Sequence, residues 1–109
     1  MKSYTDIEQS KKLSEFLPLE SADMYWWSSG KRYYIEAIDD DDYDEDKDIC
    51  AWSLAALLDI LPNGIVMNKD SQNGRYHFSS KYVGTYVTAD NPIDACVAMI
   101  EKLHKQKLL

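Results

Sequence analysis

The segment from Asp39 to Asp48 cannot pack into a protein interior. It places eight carboxylates and one lysine within ten residues, a formal charge of −7, which equals the net charge of the whole 109-residue chain. Like charges at this density repel one another and stay hydrated. The segment therefore reads as an acidic surface loop at 39–48, and the fold must come from what lies on either side of it. The rest of the chain is electrically balanced, with eleven acidic and eleven basic groups. A hydrophobic content of 45% is ample for an interior, and the length suits one core. The expectation is a single domain over 1–109.

Around that segment the pattern predicts helix, two strands, helix, three strands, helix. Thr5 and Glu8 have the spacing of a capping box, and Ile7, Leu13, Phe16 and Leu17 give the first helix one modest apolar face. Pro18 stops it. Met24 to Trp27 and Arg32 to Ile38 are rich in strand formers, and Ser28-Ser29-Gly30 between them signals a turn. Trp52, Leu54, Ala55, Leu57, Leu58 and Leu61 surround most of the second helix, which predicts burial on more than one side. Ser53 or Asp48 could cap it, and Pro62-Asn63-Gly64 ends it. Strands follow at Ile65 to Met67, Arg75 to Ser79 and Tyr82 to Thr88, with an Asn-Gly turn signal at Asn73-Gly74. In the last of these the valines should face the core, leaving Tyr82 and Tyr86 partly exposed. The final helix has Asn91 as N-cap, Pro92 at N1 and Asp94 at N3, then a stripe of Ile93, Cys96, Val97, Ile100 and Leu103. This order predicts an α+β fold: a mostly antiparallel sheet with helices packed on one face, α-β-β-α-β-β-β-α. The second half alone has the element order of a double-stranded-RNA-binding domain. It lacks the basic surface that phosphate requires, so the parallel is one of topology and no nucleic-acid partner is expected.

Several chemistries find no support. The N-terminus turns polar at once, without the apolar core of a signal peptide. The longest uncharged apolar run, Ile49 to Leu58, is too short to span a bilayer. A cytoplasmic protein without membrane contact is expected. Cys50 and Cys96 form no C-x-x-C pair, and no His or Cys cluster has metal spacing, so neither metal nor cofactor is implied. Cys96 falls on a helix stripe and reads as a small buried hydrophobe. A calcium loop counted from Asp40 would put Asp42 and Asp44 correctly. It then meets Glu45 where a glycine is needed and Ala51 where a bidentate glutamate is needed. His77 and His104 stand without a nucleophile at motif spacing and read as structural. No enzyme is indicated.

Two surfaces remain. Trp26 and Trp27 are adjacent on a strand and point to opposite faces, as do Tyr33 and Tyr34. If helices cover one sheet face only, one ring of each pair lies on the open face, where Trp and Tyr suit protein contacts. The other surface is the acidic run, with Asp40, Asp41, Asp42 and Asp44 at its centre. These features point to a non-enzymatic interaction or accessory protein whose partner is another protein or a second copy. The alternative is a small-ligand-binding domain lined by Trp26, Trp27, Tyr33 and Tyr34.

Three segments also carry a resemblance. They are Leu17-Pro18-Leu19-Glu20-Ser21-Ala22-Asp23-Met24, the run Ala51 to Pro62 (Ala-Trp-Ser-Leu-Ala-Ala-Leu-Leu-Asp-Ile-Leu-Pro), and Ala89-Asp90-Asn91-Pro92-Ile93-Asp94-Ala95-Cys96 continuing through Met99 to His104. Together they resemble a family of small uncharacterised proteins from gut anaerobic bacteria, often carried on mobile elements or prophages. The resemblance implies no activity, ligand or site residue. It covers about half the chain and falls on caps and core, which suits a shared fold.

Overall fold

The computed structural model describes residues 2–38, 43–44, 46–80 and 84–109. Helix α1 spans Ile7–Ser14, and a single 3-10 turn at Leu19–Ser21 follows it. Strands β1 (Met24–Ser29), β2 (Arg32–Ala37) and β3 (Ile49–Ala51) precede helix α2 (Leu54–Ile60). Strands β4 (Ile65–Lys69), β5 (Tyr76–Ser80) and β6 (Tyr86–Ala89) lead to helix α3 (Pro92–Lys105). The class is α+β and the element order is the expected one, with the 3-10 turn and the short β3 added. The strands divide into two antiparallel three-stranded sheets, ordered β2-β1-β3 and β4-β5-β6. A single sheet had been expected. The second half does form a helix, an antiparallel meander and a helix.

The core gathers from both halves. Leu13 of α1, Trp52, Leu57 of α2 and Phe78 of β5 are fully buried together with Ile93, Cys96, Met99, Ile100 and Leu103 of α3. Every residue of the predicted α3 stripe is buried. Burial pushes the Cys96 thiol up to about 12, so it stays protonated and behaves as a packing group. In β6 Val87 turns inward while Tyr86 and Thr88 stay exposed, as the alternation predicts. Tyr82 and Val83 lie outside the described residues.

Helix starts show where tertiary contacts override local signals. The N-cap of α1 is Asp6, not Thr5: Asp6 accepts from the Gln9 amide and the Gln9 side chain accepts from the Asp6 amide. Thr5 is drawn inward instead. Its hydroxyl pairs with Ser10 at 2.8 Å and accepts the Trp52 amide at 3.0 Å. The helix ends at Ser14, short of Pro18. Helix α2 is capped by Ser53, which accepts from the Ala56 amide and donates to Asp23. Trp52 lies ahead of it, outside the helix. Of the α2 side chains only Leu57 is fully buried, and Leu58 is exposed. The expected burial on several sides is therefore not met: α3 packs against α2, Leu54, Ala56 and Ile60 are only partly buried against the core, and Leu58 stays exposed.

Asn91 caps α3 by accepting from the Asp94 amide at 2.9 Å, with Pro92 at the first helical position. Asn91→Ala should cost ~0.5–2 kcal/mol, the usual worth of an N-cap. Urea unfolding followed by circular dichroism measures this, and an unshifted midpoint would place the cap elsewhere.

Candidate functional site

The β1–β2 hairpin carries most of the aromatic residues singled out above. Its turn is two residues, Gly30-Lys31, and Gly30 supplies the positive φ of +67°. Register fixes the two faces. Trp27 lies opposite Tyr34, Tyr25 opposite both Glu36 and Cys50, and Ser29 opposite Arg32, so all of these share the outer face. Trp26, opposite Ile35 and Ile49, shares the other face with Met24, Tyr33 and Ala51. Adjacent rings thus split between faces, as strand geometry requires.

The four aromatics do not converge on one pocket. Trp26 donates from its indole to the Thr5 carbonyl at 3.0 Å and meets the edge of Tyr4, which ties the inner face to the N-terminal segment. Trp27 stacks on Tyr34 with ring centroids 4.8 Å apart. Both tryptophans are half-buried, because each has a tyrosine against it. Tyr33 and Tyr34 are each 43% exposed.

Asp44 is the one described residue among the acidic candidates. Asp40, Asp41 and Asp42 lie outside the described residues. Tyr43 and Asp44, and the chain from Asp46 to Asp48, return over the outer face of the hairpin. Tyr43 sets its edge on Tyr25 at 5.5 Å and shares a 2.9 Å hydrogen bond with the Cys50 thiol. Tyr25 is 3% exposed, and its hydroxyl donates to Glu36. Asp44 accepts from the Asp46 amide, and the Asp48 amide donates to the Asp44 carbonyl at 2.8 Å. This part of the acidic segment is a hydrogen-bonded turn held by one aromatic anchor.

A cleft of about 650 Å³ opens between that turn and the hairpin. Tyr25, Trp27 and Ser28 line it on one side, with Glu36, Asp44, Asp48 and Lys47 around them. The Trp27 indole N–H is buried and has no acceptor among the described residues. Such orphaned donors are rare in folded proteins, and each costs ~1–3 kcal/mol of lost hydration. The site therefore offers aromatic surface, three carboxylates and one ammonium.

Two other clusters were not visible in the sequence. On the second sheet His77 Nδ1 lies 2.6 Å from the Tyr86 hydroxyl, and His77 Nε2 is 3.7 Å from Asp70. The Asp70 carboxyl is held below its ordinary range by the Gln72 and Asn73 amides and, more weakly, by His77. Asp–His–Tyr is a competent proton relay in principle. Here it lies on the open face of the sheet, with Tyr86 51% exposed and stacked on His77. His77 thus has partners, and only the register of β4, β5 and β6 reveals them. His104, the second histidine, stacks on Phe16 at 3.9 Å. Among the described residues no group of three or more His, Cys, Asp or Glu is placed to hold a metal ion, and no helix is long and apolar enough to cross a membrane.

The second cluster joins the starts of α1 and α3. Lys2 bridges Asp6 at 2.9 Å and Asp94 at 2.8 Å, and the Gln9 side chain also donates to Asp94. Partial burial raises the Asp94 carboxyl, but bonds from Lys2, Gln9 and Asn91 outweigh it and hold the group below its ordinary range. For Asp6, burial is likewise outweighed, by the Gln9 amide and Lys2. Carboxylates held low in the folded chain contribute stability that is complete above their unfolded value of ~4 and is lost as pH falls through the folded value. The melting temperature should therefore drop on acidification below about 4, and Lys2→Met should flatten that limb. The effect is modest, since the Asp94 side chain is 38% exposed. Thermal melts across the acid range test it, and parallel limbs in the two proteins would exclude Lys2 as the controlling partner.

No known protein family, curated protein or solved structure matches this chain.

Proposed function

We propose that this chain is a non-enzymatic interaction protein that holds a basic segment of another protein in the cleft between the hairpin and the acidic turn. One observation carries the reading. The aromatic side chains of Tyr25 and Trp27 border the same cleft as Glu36, Asp44 and Asp48. A cation over an aromatic face gains ~0.5–2 kcal/mol, and adjacent carboxylates add charge-assisted hydrogen bonds. The −7 segment would draw such a partner in from a distance. The resemblance to proteins of mobile elements suits an accessory or regulatory role in the cytoplasm.

Titration with an arginine-rich peptide, followed by tryptophan fluorescence, tests the proposal. Binding should weaken steeply with salt. It should fall about tenfold or more when Glu36, Asp44 and Asp48 are replaced by their amides, if the carboxylates supply the ~1.4 kcal/mol that a factor of ten requires. Equal binding of an acidic peptide, or indifference to salt, would sink it. Of Trp26, Trp27, Tyr33 and Tyr34, the aromatics that the alternative of a small-ligand pocket requires, Trp27 alone borders this cleft.

A further inference from the structure

Among the described residues strand β2 ends its sheet, with β1 as its one hydrogen-bonded strand neighbour. Six residues long, it has no proline, and its centre, Tyr33-Tyr34-Ile35, bears no charge. Proteins usually protect such an edge with prolines, bulges, charges or a covering element, because its free amides and carbonyls invite another strand. All of β2 except Ile35 is exposed.

We infer that β2 pairs antiparallel with β2 of a second copy, joining two three-stranded sheets into one of six. The sequence fits itself in one register. A two-fold axis through such a pair preserves sheet faces, so facing residues must have the same side-chain orientation, and some residue must face itself. Centring on Tyr33 puts Arg32 opposite Tyr34. Centring on Ile35 puts Glu36 opposite Tyr34. Centring on Tyr34 puts Arg32 opposite Glu36 of the second copy, twice, and Tyr33 opposite Ile35, also twice. Within β2 only this register of the three pairs opposite charges, and it pairs apolar side chains on the other face. Tyr34 meets Tyr34 of the second copy, which extends the Trp27–Tyr34 stack into a row of four rings.

The net charge does not oppose this arrangement. In this register Ile38, the residue before each acidic run in the sequence, lies near Lys31 and Arg32 of the other copy. The two runs start at opposite ends of the strand pair. Gly30 faces Ile38, so these ends are about 27 Å apart at ~3.4 Å per residue. That is more than three times the ~8 Å Debye length at physiological ionic strength. The pairing shares Glu36 with the cleft proposed above, so Arg32→Glu, which leaves the cleft lining unchanged, is the variant that separates the two. The pairing leaves both clefts on the same side of the joined sheet.

Sedimentation velocity on the full chain tests the inference across a concentration series. The wild type should reach twice the 12.6 kDa chain mass. Arg32→Glu sets two glutamates against each other at both ends, and Glu36→Arg does the same with two arginines. Each variant alone should dimerise at least about tenfold more weakly, a penalty of ~1.4 kcal/mol from like charges facing each other twice. An equimolar mixture of the two restores both opposite-charge pairs and should dimerise like the wild type. Circular dichroism confirms that each variant is folded, and the mixture rescues only folded chains. A wild type monomeric at all concentrations would overturn the inference. So would single variants that still dimerise, or a mixture that stays monomeric.

Discussion

Trp52→Ala should lower the melting temperature by more than about 12 °C. Removing a fully buried tryptophan costs ~3–5 kcal/mol, from lost burial and from the cavity left behind, and each kcal/mol moves the midpoint of a 60–100-residue domain by ~4–8 °C. Trp52 is 0% exposed and is the largest side chain in the core. It joins parts that share no strand ladder. Its amide binds the Thr5 hydroxyl, its indole donates to Ser21 at 3.1 Å, and its carbonyl accepts the Thr5 amide at 2.9 Å. Its ring packs in the cluster that holds Leu13, Leu57 and Phe78. Surrounding side chains cannot close that space without leaving their own partners. Trp52→Phe keeps much of the volume but loses the bond to Ser21, so it should fall between alanine and wild type. Melting followed by far-ultraviolet circular dichroism makes the comparison without relying on the fluorophore removed. An alanine variant that melts with the wild type would show that Trp52 does not hold the two halves together.

The sequence pattern puts Trp52 in α2, whereas Ser53 caps that helix and Trp52 lies one residue ahead of the cap. The error has a physical source. Ala51-Trp52-Ser53-Leu54 continues an apolar run with no breaker, so local pattern cannot separate strand from helix. What separates them is β1, whose Met24, Tyr25 and Trp26 take Ala51, Cys50 and Ile49 as antiparallel partners. A three-residue strand defined by a partner more than twenty residues away leaves almost no local trace. The same reason explains Thr5. Thr5 and Asp6 are both good caps, and the choice falls to Asp6 because Thr5 is needed by Trp52 and Ser10. By contrast α3 was fully legible, since cap, proline and stripe agree within one short segment.

The candidate site divides along the same line. That Trp26 and Trp27 face opposite ways follows from strand geometry and could be read directly. That Tyr43 folds back onto Tyr25, bringing Asp44 and Asp48 beside Trp27, could not. Charge pattern describes how the acidic segment meets solvent. It is blind to one tyrosine within the segment that anchors its far end. The Asp70–His77–Tyr86 array was hidden for a related reason, since cross-strand neighbours appear only once register is known.

Ile100→Ala is expected to have the second largest effect, ~2–5 kcal/mol. Ile100 is fully buried at the middle of the α3 stripe, with Cys96, Val97 and Leu103 buried on the same face. That face packs on β5, β6 and α2, so a cavity there borders three elements at once. The size of the loss depends on how far they can move inward. Strands β5 and β6 are fixed by their ladder from Tyr76–Ala89 to Ser79–Tyr86. Helix α2 has only seven residues and one fully buried side chain, so it is the element free to shift. The cost should therefore be well above that of losing contacts alone, yet below that of Trp52→Ala. Lys105→Ala, exposed on the same helix, serves as the control and should stay within ~0.5 kcal/mol of wild type. Urea unfolding of the three proteins decides the matter. If Ile100→Ala and Lys105→Ala unfold at the same midpoint, the buried face of α3 has been misassigned, and the packing of the second sheet with it.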